Sequence, residues 1–341
     1  MKYLLEPLLF AVDETCSEED FEKYIENLLK WGEWQNKHKD DIYMLSSTEL
    51  CLYENNYYPI ASTIKNLIDK YDYQNINYDM VDKVIRKLIR KSVKIDNEEL
   101  CDDWEYSQIS IEPNDGIEKR ENSFNEQLFT LLWCTFCLCS KGQLEENAIT
   151  FFTRGISGGI NAKIEYLKIE NDEFVNKSSD MNCYCCGSIN EYLSDTETPI
   201  RIWKQAHSKD DIDIGIRVAV YQDQKLDTFD DAYRNYEIVI QDSFYDEFCD
   251  NHYVSKDKEL RSAILACMYA VTNQNKTLMH DIRGSKCGGS PQLVVNGYGA
   301  WRRNSTTSIK IAYWKKKERF LLADIGEHDF IEPTQDQKLM I

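Results

Sequence analysis

Beyond residue 235 the hydrophobic pattern of this chain changes period, and that change constrains the fold more than any other feature of the sequence. Residues 236–240 alternate in the manner of a strand, and residues 255–272 then recur at helical spacing through Leu260, Ile264, Cys267, Met268 and Val271. After Gly284, Gly288 and Gly289 come three short strand-like runs, 292–296, 308–314 and 319–325. Strand, helix and three strands in succession predict a small α+β domain with an antiparallel sheet packed on helices, here 231–341.

The preceding residues follow a helical rhythm. Ser17 and Asp20 open an amphipathic run carrying Phe21, Tyr24, Ile25, Leu28 and Leu29. Similar runs hold Ile64, Leu67 and Ile68, and, after a cap at Asp79, Val84, Ile85, Leu88 and Ile89. Residues 1–104 therefore read as a mostly helical domain. Residues 105–122 are polar and contain Pro113, Asn114, Asp115 and Gly116 in a row, which predicts a linker. Ser123 and Glu126 then form a capping box ahead of Phe129, Leu132, Trp133 and Phe136, with Gly142 as the helix stop. Signals mix over 123–230, a mixed α/β middle region in which 216–221 reads as a strand. Gly155, Gly158 and Gly159 lack the GxxxxGK[ST] pattern of a phosphate-binding loop and read as a turn.

A chain of 341 residues with 42% hydrophobic content has enough apolar material for two or three folded domains. It has no apolar run of the roughly 20 residues that span a bilayer. Glu6 and Pro7 interrupt the one greasy stretch near the start, so no signal peptide and no membrane partner are expected, and the expected location is the cytoplasm. The 12 cysteines then read as free thiols rather than a disulfide framework. Two CxxC pairs, Cys134/Cys137 and Cys183/Cys186, have the ligand chemistry of a tetrahedral zinc site. The simpler reading of the first pair is one turn of a buried helix, where cysteine acts as a small hydrophobe.

Charge is distributed unevenly. Residues 281–320 carry nine cationic side chains and two anionic ones, a net +7 within a chain of −19, which leaves the remainder near −26. Such asymmetry marks either an anion-binding end attached to a solvating or masking region, or simply a lysine-rich surface hairpin. If 308–314 is a strand, Lys310 shares a face with Ser308 and Ala312, opposite Ile309, Ile311 and Tyr313. His328 follows the next strand among Asp324, Glu327 and Asp329, and histidine suits proton transfer near neutrality. His280, next to Asp281 and just before the glycine-rich loop, is a secondary candidate to line the same site.

The block Trp301 to Tyr313, WRRNSTTSIKIAY, together with the late His328 and the order of elements over about 235–332, resembles the RelE/ParE superfamily of bacterial toxins, and within it the RelE and YoeB type of mRNA interferase. The resemblance implies an endoribonuclease, with or without the ribosome, that needs no metal or other cofactor and acts through attack of the ribose 2′-hydroxyl on the adjacent phosphorus. Carried over by position, Lys310 stands where the family usually has an arginine that stabilises the transition state. His328 would be the general acid and Asp329 a possible base, with Arg302, Arg303, Lys286 and Trp301 binding the RNA. The chain departs from the family at Lys310 itself, at Pro291 and Gln292 where close members have a glutamate, and at Asp329 where an aromatic residue follows the histidine. An antitoxin or a defence-complex protein is the partner this reading implies. The other reading is a non-catalytic RelE-like or unrelated α+β module that binds nucleic acid or a protein.

Overall fold

The computed structural model describes all residues except 39–40, 59–60, 99, 101–103, 115, 172, 251–255, 284–289, 306–307, 328–331, 337 and 339–341. The chain divides into two compact units, Met1–Tyr192 and Leu193–Ile341. Both are mixtures of helix and strand, consistent with the α+β expectation, but the boundary between them falls at neither 104 nor 230.

The first unit runs β1 (Lys2–Leu5), α1 (Glu18–His38), β2 (Ile42–Met44), α2 (Thr48–Glu54), α3 (Ala61–Lys70), α4 (Tyr78–Lys91), β3 (Val93–Lys94), β4 (Trp104–Glu112), α5 (Asn122–Ser140), β5 (Ile149–Phe152), β6 (Gly158–Glu170) and β7 (Glu173–Cys186), with α6 (Ile189–Ser194) at its end. Its sheet has seven strands in the order β3-β2-β1-β5-β7-β6-β4. The first five are parallel, and β6 pairs antiparallel with both β7 and β4. Parallel strands are buried on both faces, and β1 obeys that rule. Leu4 joins the core beneath α5, together with Phe151, Cys183 and Cys185. Tyr3 turns to α1, where its ring meets Trp34 edge-on at 5.4 Å, and Trp31 meets Phe152 at 4.6 Å.

Two sequence expectations are corrected here. Residues 1–104 are not a helical domain on their own, because β1, β2 and β3 belong to the same sheet as β5 and β7. The stretch 105–122 is not a linker: most of it is strand β4, the sheet's last strand, followed by a turn that leads into α5. The capping box is also unused. Helix α5 begins at Asn122 with no side-chain cap, and the Ser123 hydroxyl instead donates to Asn55 Oδ1 at 2.9 Å. By contrast, Ser17 does cap α1, accepting from Asp20 N at 3.1 Å.

The second unit continues with α7 (Thr198–Lys204), α8 (Lys209–Gln224), α9 (Asp231–Arg234), β8 (Glu237–Ile240), α10 (Asp242–Asp250), α11 (Asp257–Val271), β9 (Met279–Asp281), β10 (Val294–Val295), β11 (Tyr298–Asn304), β12 (Lys310–Lys316) and β13 (Arg319–Gly326). Residues 216–221, expected as a strand, lie within α8. Ser208 caps that helix by accepting from Asp211 N at 3.2 Å. The second sheet is ordered β10-β11-β12-β13-β8, with β9 also paired to β11. It is antiparallel except for β8, which runs parallel to β13. Beyond β8, helix α10 covers the open edge of β13: Glu247 accepts from Ile325 N at 2.7 Å and Ser243 donates to Ala323 O at 2.5 Å.

Candidate active site on the second sheet

The antiparallel registers decide which of the basic residues share a surface. Residues directly opposite one another in neighbouring strands lie on the same face. Arg302 stands opposite His280 of β9 on one side and Ala312 of β12 on the other, and Ala312 stands opposite Asp324 of β13. The next rung holds Asn304, Lys310 and Gly326. His280, Arg302 and Lys310 therefore occupy adjacent rungs on one face. His280 is exposed, and Arg302 and Lys310 are half-buried.

This face is apolar at one end and polar at the other. Toward the β12–β13 hairpin, Tyr298, Ala300, Trp314 and Leu321 form a small core with Ile282. The segment around Thr334 closes over its middle. Trp314 Nε1 donates to Thr334 O at 3.0 Å, and Thr334 N donates to Asp324 Oδ2 at 2.8 Å. The surface expected to be open beside Ser308, Lys310 and Ala312 is thus filled at Ala312, which is fully buried, and is left to the polar end.

Alternation sends the other half of the expected set to the opposite face, which packs on α11. Arg303 is fully buried there. Its guanidinium lies 5.2 Å from the Tyr269 ring centroid and donates to Gln274 O at 3.0 Å and Asn275 O at 3.1 Å. Burial holds the Arg303 pKa below its ordinary value and pushes the Tyr313 hydroxyl up. Arg303, expected to bind phosphate, is instead a strut between β11 and the loop after α11. Trp301, opposite Tyr313, is half-buried on this second face and shares no face with Lys310. Lys286, His328 and Asp329 lie outside the described residues.

Strand β11 was absent from the sequence reading, and its absence hid this division. Trp301, Arg302 and Arg303 had been grouped as a basic block, whereas three consecutive strand residues must alternate between faces. The alternation of Tyr298 and Ala300 with Gly299 and Trp301 was the available signal.

The cysteines of the alternative zinc reading are distributed between a helix and a strand. Cys134 and Cys137 lie within α5, in the same apolar core as Cys183. Cys183 and Cys186 lie in strand β7, and three residues along a strand places their side chains on opposite faces. Burial pushes the Cys134 thiol up to about 12 and raises the Cys183 thiol as well, as suits cysteines packed as small hydrophobes. Among the described residues no group of three or more His, Cys, Asp or Glu side chains is placed to hold a metal ion. No described helix is long and apolar enough to cross a membrane.

Comparison of the chain with protein-family models, curated proteins and solved structures finds no match. The class is therefore defined by the architecture itself: a unit built on a mainly parallel sheet, then a unit built on a mainly antiparallel one. Within the second unit, one sheet face carries an imidazole and two cations.

Proposed function

We propose that the second unit is a metal-independent endoribonuclease, the effector of a toxin or anti-phage system that cleaves mRNA, with or without the ribosome. The observation that carries this reading is the placement of His280, Arg302 and Lys310 on adjacent rungs of one sheet face. Cleavage through the ribose 2′-hydroxyl needs a proton acceptor at that oxygen, a donor at the departing 5′-oxygen and positive charge on the phosphate as it gains negative charge. Arg302 supplies a planar fork suited to two phosphate oxygens, and Lys310 a point charge. His280 accepts or donates the proton, and His328 takes the complementary role. The sequence resemblance to the RelE type supports the same assignment of Lys310 and His328. The acidic remainder of the chain serves to mask or assemble the effector.

The test is incubation of full-length protein with mRNA, in the presence and absence of ribosomes and with EDTA added. We expect cleavage that leaves 2′,3′-cyclic or 3′-phosphate ends and survives EDTA. His280→Ala should lower the rate by about 10²–10⁴-fold, and Lys310→Ala by about 10²–10³-fold. Folded wild-type protein that leaves RNA intact under all these conditions rejects the nuclease. If it binds RNA without cutting it, the non-catalytic module takes its place. Full activity in a folded His280→Ala/Lys310→Ala protein would mean that the site is elsewhere.

A further inference from the structure

The first unit contains a crevice that the nuclease reading does not use. In its sheet the chain passes from β1 outward through β2 to β3, then returns to place β5 on the other side of β1. Loops leaving the ends of β1 and β5 therefore run in opposite directions, and such divergence opens a binding crevice beyond the carboxyl ends of parallel strands. Glu6 follows β1 directly, and Thr153 and Arg154 follow β5.

These residues are held rigidly. The Glu6 carboxylate is fully buried; it pairs with Arg120 and accepts from Thr153 Oγ1 at 2.7 Å and from Arg154 N at 3.1 Å. Arg120 is nearly as buried, at 4% side-chain exposure, and also donates to Thr153 Oγ1 at 2.8 Å. Its Nε is buried without a hydrogen-bond partner. Gly116 lies so close to the other wall that a Cβ there would come within 2.2 Å of Gly155 O. The turn before α5 and the turn after β5 thus form one floor.

Above this floor is a cavity of about 520 Å³, whose lining includes Tyr57, Lys119, Arg120, Glu121, Phe124 and Arg154. That volume lies in the range of small-molecule sites. The Arg154 guanidinium is exposed and makes no ion pair or hydrogen bond among the described residues, and Lys119 is exposed beside it. Tyr57 is fixed by its hydroxyl donating to Glu121 at 2.9 Å and by its ring lying 5.7 Å from Phe124. Two exposed cationic side chains, Lys119 and Arg154, thus meet an aromatic wall at the point where the topology opens the sheet; Arg120 beneath them is paired with Glu6, and the Glu121 carboxylate is engaged by the Tyr57 hydroxyl.

We infer that this crevice binds a phosphorylated small molecule with a flat ring, of the mononucleotide class. The phosphate sits between Arg154 and Lys119 with Arg120 Nε behind it, and the ring lies against Tyr57. Charge-assisted hydrogen bonds account for the phosphate preference, and stacking on a fixed aromatic side chain for the ring.

Calorimetric titration of the full-length protein with AMP, UMP, adenosine and inorganic phosphate tests the inference. Saturable binding of at least one mononucleotide at one site per chain is expected, with adenosine and inorganic phosphate each at least about tenfold weaker. Arg154→Ala and Lys119→Ala, both at exposed positions, should each weaken the mononucleotide by about tenfold or more while circular dichroism stays unchanged. Absence of saturable binding of both mononucleotides up to about 1 mM overturns the inference. So does binding left undiminished in both variants, or adenosine or phosphate bound as tightly as the nucleotide. RNA cleavage by the second unit is read in a separate assay, so either proposal can fail without the other.

Discussion

Glu6 and Arg120 form an ion pair almost wholly shut away from water, and buried pairs are costly to break from one side. Burial pushes the Glu6 carboxyl above its ordinary value near 4.5, and the Arg120 guanidinium opposes that rise. Arg120→Ala removes the largest opposing influence and leaves only the hydrogen bonds from Thr153 Oγ1 and Arg154 N against burial. A carboxyl whose pKa is raised by folding favours the fold while it is protonated and loses that contribution as pH climbs from the unfolded value to the folded one. The variant should therefore be close to wild type in stability near pH 4, and less stable by about 3–5 kcal/mol at neutral pH. Urea unfolding as a function of pH measures this, and a deficit that does not grow with pH would show that the carboxylate is not the group left exposed to the penalty. The sequence offered a hint of Glu6, which breaks an otherwise apolar opening run, but nothing marked its partner 114 residues away. Only the return of β5 beside β1 brings the two together.

At the scale of single elements, legibility depended on whether the side-chain period stayed intact. Helices α1 and α4 present clear apolar stripes and were readable. Strand β4 was not, because its pairing with β6 shifts between Tyr106 and Gln108. That bulge puts Tyr106, Ile109 and Ile111 on one face, opposite Tyr166, Ile164 and Ala162, although their spacing in sequence obeys neither a strand nor a helix period. Helix α8 failed in the opposite way. Ile212, Ile214, Ile216, Val218 and Val220 are all buried, so a helix covered on nearly every side displays alternate branched residues and imitates a strand. Strand β11 gives a direct test of the face assignment. Arg303→Met should leave Gln274 O and Asn275 O without their charged donor, at about 2–4 kcal/mol, whereas Lys310→Ala should change stability by less than about 1 kcal/mol. Hydrogen exchange of the β11 and β12 amides would then quicken in the first variant and stay near wild type in the second. The reverse pattern would exchange their roles and remove Lys310 from the candidate site.

For the molecule as a whole, the first strand, the long helix and three of the late strands after residue 235 were legible, whereas α10, β9, β11 and the placement of the domain boundary were not. The strand, the helix and the late strands all exist, but the sheet they build depends on elements that precede it. Helix α8 packs on α7, α11 and β8 within the second unit. Arg217 of α8 donates to Ala232 O at 2.6 Å and Tyr236 O at 3.0 Å, and its guanidinium stacks 4.0 Å from the Tyr233 ring centroid. Gly215 lets α8 approach the buried Trp203, whose ring atoms would lie 2.3 Å from a Cβ at that position. At roughly 1.5–3 kcal/mol for each buried branched side chain, the α8 contribution is on the order of 10 kcal/mol, as large as the net stability of an ordinary domain. A piece comprising residues 193–341 should therefore unfold in one cooperative urea transition. A piece starting at 231, where the change of sequence rhythm alone would place the boundary, should show no such transition. A cooperative transition of equal midpoint in the shorter piece would mean that α7 and α8 are accessory to the sheet, and the effector would then be the smaller domain that the sequence pattern outlines.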